Sequence, residues 1–60
     1  MLEFCKQVLL KVSFDRHLFK KELVKMIAML KREEVVLFKV WCLATFGAQY
    51  QDVIQEVFHI

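Results

Sequence analysis

The chain has 60 residues, of which 58% are hydrophobic and 27% charged, with a formal net charge of +2. That balance excludes an intrinsically disordered chain, which needs low hydrophobicity and high net charge. It also gives one small domain more apolar material than it readily hides, because so short a chain buries only about 60% of the surface its unfolded form exposes.

The first predicted helix covers about residues 1–12. Leu2, Cys5, Leu9 and Val12 recur at helical spacing, with Phe4 and Val8 on the same side. Glu3, Lys6, Gln7 and Lys11 take the other side, and Leu10 alone leaves the stripe. Ser13-Phe14-Asp15 reads as a turn. Asp15 is a good N-cap, since its carboxylate can accept from the free amides of the next helix. Phe14 and Phe19 stand where a hydrophobic staple would bracket that cap. A link this short makes the two helices antiparallel neighbours.

The second helix is expected over 16–30, with Phe19, Leu23, Met26, Ile27 and Leu30 facing inward. Lys20, Lys21 and Lys25 lie outside. Such a face usually just keeps a protein solvated; the sharper reading is that Arg16, Lys20, Lys21 and Lys25 form an anion-binding face. Lys31-Arg32-Glu33-Glu34 holds no Gly, Pro or capping hydroxyl. Its order of charge still suggests a boundary, with bases closing one helix and acids opening the next. The opposing reading is one continuous helix over 16–46, since Phe19 to Ala44 keep a heptad-like spacing broken once at Glu33. The break is favoured, because helices in ordinary domains seldom run so long.

The third helix is predicted over 33–46. Its side chains divide into two apolar arcs. One holds Val36, Leu37, Val40, Trp41, Leu43 and Ala44; the other holds Val35, Phe38, Cys42 and Phe46. Lys39 separates them on one edge, and Glu34 and Thr45 on the other. A helix apolar on two sides needs two covering layers. Gly47 is the only glycine and is expected to end this helix in a left-handed conformation. A fourth helix over 49–58 then carries Tyr50, Val53, Ile54, Val57 and Phe58 on one stripe, with Gln51, Asp52, Gln55, Glu56 and His59 opposite.

Charge is divided along the chain. Residues 1–32 hold eight bases against three acids, a balance of +5, and residues 33–60 one base against four acids, a balance of −3. Such asymmetry can orient one part of the chain, or one copy, against another.

Chemistry-bearing motifs are sparse. Cys5, His17, Cys42 and His59 are scattered singly, without the close pairs of a zinc site. The cysteines sit in apolar stripes, as reduced, buried thiols do in a cytoplasmic protein. Neither an acid/base pair nor a Gly-rich phosphate loop is present in the sequence, so no enzyme, cofactor or metal is expected. No secretory signal is visible, and the central apolar run carries Lys39 and is too short to span a bilayer. The pI near 8.7 and a lysine-dominated basic face fall short of a base-reading nucleic-acid binder.

The expected fold is therefore an all-α, up-and-down bundle of three to four helices forming one domain over 1–60, completed by dimerisation. Val36, Lys39, Val40 and Leu43 are expected at the contact between copies. The expected function is a cytoplasmic protein–protein interaction module, an adaptor, regulator or accessory subunit. The alternative is a nucleic-acid or other polyanion binder using the second helix.

Overall fold

The computed structural model describes residues 1–58, and His59, expected on the polar face of the last helix, lies outside them. Three α-helices pack into a compact globule: α1 over Leu2–Val12, α2 over Arg16–Met29 and α3 over Arg32–Val57.

Asp15 caps α2 as its chemistry requires. Its carboxylate accepts from the amides of His17 at 2.9 Å and Leu18 at 3.1 Å. The hydrophobic staple, by contrast, does not form. Phe14 is 79% exposed, while Phe19 is fully buried against the rings of Phe46 and Tyr50. The core takes Phe19 away from the cap and leaves Phe14 without a partner ring. Phe4 likewise turns out of the α1 stripe and is more than half exposed, whereas Cys5 and Leu9 are buried.

Between α2 and α3 the chain breaks. Leu30 and Lys31 are both extended, at ψ 152° and 159°. The Glu34 carboxylate then accepts from the Lys31 amide at 3.1 Å, which ties down the start of α3. The acidic first turn thus caps the helix through a side chain as well as favouring its N-terminus by charge.

The expected boundary at Gly47 is absent. No glycine has a positive φ, and α3 continues through Gly47. The single non-helical residue inside α3 is Tyr50, at φ −129° and ψ 30°. A straight helix of 26 residues would be about 39 Å long, longer than the 26 Å long axis of the molecule, so α3 must bend there. Before the bend α3 runs antiparallel to α2, reaching the α1–α2 turn where Tyr50 and Gln49 meet the Ser13 carbonyl. After the bend it runs in the same sense as α2: Arg16 pairs with Asp52, and Lys20 with Glu56 one turn further along both helices. Phe58 thereby returns to Phe38, with ring centroids 6.1 Å apart. The residues expected to form a fourth helix follow this kink, so the break falls at Tyr50 rather than at Gly47, and α3 joins two helical stretches across it.

The core consists of Cys5 and Leu9 from α1, Phe19, Leu23 and Met26 from α2, Leu30, and Phe38, Cys42, Phe46, Tyr50, Val53 and Ile54 from α3, closed by Phe58. The one buried polar-tipped side chain among these, Tyr50, donates its hydroxyl to Ser13, and no buried side-chain polar atom among the described residues lacks a partner.

Candidate functional site: the outer face of helix α3

Phe38, Cys42 and Phe46 are buried and fix which side of α3 faces its own core. At about 100° per residue, the opposite side carries Glu33, Leu37, Val40, Ala44, Gly47 and Ala48, with Val36 beside them. Of these Val36 is 48% exposed, Leu37 59% and Val40 62%, and Ala44 and Ala48 are also exposed. The outward face of a surface helix is ordinarily polar. Here no charged or hydrogen-bonding side chain lies on it between Glu33 and Gln51. Lys39 and Thr45 sit at the edges of this face.

The two apolar arcs read from the sequence therefore part company. Phe38, Cys42 and Phe46, with half-buried Val35, are covered by the chain itself, and the Val36–Leu37–Val40 arc is not. Its flanks are half covered. Trp41 packs on the Phe38 and Phe46 rings, and the Lys6 ammonium lies 5.7 Å from its ring centre. Of the four positions expected at a contact between copies, Val36 and Val40 are exposed and Lys39 and Leu43 half-buried. Leu37 and Ala44 belong to the same face but were not among the four. Counting outward from Phe38 and Cys42 singles them out, and this requires knowing which arc the core takes.

The basic face of α2 is partly consumed by the fold. Arg16 is paired with Asp52, and Lys20 with Glu56 at 2.9 Å. The Arg16 guanidinium holds the Asp52 carboxyl below its ordinary range. Lys21 and Lys25 remain exposed. Two shallow, open grooves flank this face. One, of about 360 Å³, has Val24, Ile27, Ala28 and Val57 along it and the Lys20–Glu56 pair at its rim. The other, of about 380 Å³, adjoins it toward His17 and Lys21. Neither encloses a polar group set that could orient a substrate.

Cys5 and Cys42 are both buried and unpaired. Burial pushes the Cys42 thiol up to about 12 and raises Cys5 as well, the N-terminal ammonium opposing that shift. A protonated, buried thiol is a poor nucleophile. Among the described residues no three His, Cys, Asp or Glu side chains gather as a metal site. No helix among them is long and apolar enough to cross a membrane. Comparison of the chain with protein families, with curated proteins and with solved structures finds no match.

Proposed function

We propose that this chain is a small, non-enzymatic protein–protein interaction module that acts as a homo-oligomer through the outer face of α3. The observation that carries this reading is the exposure of Val36, Leu37 and Val40 together on the side of α3 turned away from its own core. Covering them removes apolar surface from water, at roughly 25 cal/mol per Å². A domain of this size gains from such support, since small scaffolds without disulfides or metals commonly rely on association. The unpaired, buried thiols accord with a reducing, cytoplasmic setting.

Static light scattering behind a sizing column tests the proposal. The wild-type chain should show a mass above 7.2 kDa that rises with loading concentration, and Val40→Glu should return it to one chain while remaining helical. A wild type that stays at one chain's mass throughout removes the homo-oligomer.

Polyanion binding by α2 is the weaker reading, because two of its four cations are already paired with carboxylates of α3. It requires Lys21 and Lys25 to bind a short nucleic acid at low salt and to release it steeply as salt rises. Absence of binding at low salt eliminates it.

A further inference from the structure

Beyond the bend at Tyr50, α3 runs alongside α2 in the same sense. One groove lies between the two helices there, and the second continues it along α2, the two sharing Lys20 and Val24. Together they reach from His17 to Ala28, about 16 Å or three helical turns. The ends differ in chemistry. At one, Val24, Ile27, Ala28 and Val57 present apolar side chains, with the Lys20–Glu56 pair at the rim. At the other stand His17, Lys20 and Lys21, with no carboxylate among the described residues that line it. Lys21 makes no ion pair among the described residues, and neither does Lys25 one turn further on. Glu22, the acid within α2, turns to the opposite flank, about 160° from Val24 around the helix.

We propose that this groove receives an amphipathic helix of a partner protein, acidic in its first turn and apolar after it. The grooves are shallow and open, whereas small-molecule sites enclose most of their ligand. The occupant therefore has a side of its own that stays in water, as a helix laid into a groove does. A helix of about 11 residues matches the 16 Å run. Apolar side chains three and four places apart then cover Val24, Ile27 and Val57, and acids one or two turns earlier meet Lys21 and Lys25. Acids also favour the N-terminus of the helix that carries them, so the partner lies parallel to α2. Charge complementarity of this kind sets partner and register. A nucleic acid would satisfy Lys21 and set phosphates against Val24 and Ile27. A bilayer is flat where this surface is concave. The groove uses none of the residues on the outer face of α3, so the inference stands or falls apart from the homo-oligomer.

A fluorescent peptide of about twelve residues, with glutamates in its first turn and leucines at three- and four-residue spacing after them, tests this by anisotropy with the full chain. The peptide is side-chain-stapled, because so short a helix is marginal in water. Binding should saturate and shift the NMR signals of Lys21, Val24, Ile27 and Val57. Lys21→Glu should raise the dissociation constant about tenfold, since attraction becomes repulsion, and Val24→Ser about fivefold, by removing apolar contact. Both positions are exposed, and circular dichroism verifies that each variant is folded. A peptide with lysines for its glutamates, or serines for its leucines, should bind at least tenfold more weakly. Failure of the peptide to bind overturns the proposal. So does equal binding of the serine peptide, which would mark a site for charge alone, or of the lysine peptide, which would mark a site for apolar contact alone. Shifts confined to Val36, Leu37 and Val40 would seat the peptide on α3 instead. Shifts at Lys21 and Val24 on dilution of the chain without peptide would assign the groove to a second copy. Binding to phosphatidylserine vesicles without binding to the peptide would assign it to a membrane surface. Each of these three results also contradicts the proposal.

Discussion

The hydroxyl of Tyr50 donates to the backbone carbonyl of Ser13 at 2.6 Å, joining the bend of α3 to the turn between α1 and α2. Its ring stacks on Phe19, with centroids 4.2 Å apart and planes 17° from parallel. Gln49 adds a second donor to the same carbonyl at 3.3 Å. Three elements are thus fastened at one point, and the bend is held by partners far away in sequence.

Tyr50→Phe isolates the hydroxyl. The ring stack survives, and the Ser13 carbonyl keeps Gln49. The expected loss is about 1 kcal/mol in urea unfolding. Tyr50→Ala removes the ring as well and should cost about 3–5 kcal/mol, the range for deleting a large buried aromatic. Equal stability of Tyr50→Phe and wild type would deny the hydroxyl any part in fixing the bend.

Gly47→Ala should stabilise the folded monomer. Gly47 sits in helix without positive φ, and an added Cβ meets nothing. Alanine is better than glycine in a helix interior by about 1 kcal/mol. Thermal melting at low concentration reads this directly. A lowered melting temperature would mean that Gly47 takes a left-handed turn after all.

Three groups are shifted, the Asp52 carboxyl downward and the Cys5 and Cys42 thiols upward, so the acid and alkaline effects have opposite origins. Asp52 has a carboxyl held below its unfolded value of 3.8, so its contribution is present above that value and lost as pH falls through the folded one. Arg16→Gln should bring the Asp52 titration, followed by NMR, back up to the ordinary range; because the pair is exposed, stability should hardly change. The Cys42 thiol ionises near 9.0 when unfolded and about 12 when folded. Its contribution is present below the lower value and declines as pH climbs between the two. Cys42→Ala should reduce the alkaline loss of stability in chemical denaturation, leaving the part due to Cys5, and an unchanged alkaline slope would deny Cys42 any share in that loss.

Much of the fold could be read from local pattern. The Asp15 cap, the inward stripe of α2 and the break at Lys31 each depend on residues a few places apart, and each is where the pattern puts it. Gly47 and Phe14 could not be read in this way. A glycine between good helix formers ends a helix only if the next residues leave it, and here the chain waits three residues, until Phe19 and Ser13 can hold Tyr50. Phe14 lost its partner because Phe19 was needed by rings from α3. The outer face of α3 was half legible. Its two arcs were visible, but only packing decides that Phe38 and Cys42 go inward and so leaves Leu37 and Val40 outside.

The central claim is that a second copy covers this face. Amide and methyl NMR spectra of the wild-type chain, recorded over a dilution series, test it most directly. Concentration-dependent shifts should cluster on Val36, Leu37, Val40, Ala44 and Ala48, and leave Lys21 and Lys25 still. Spectra that do not change with concentration, or that change only along α2, would contradict it.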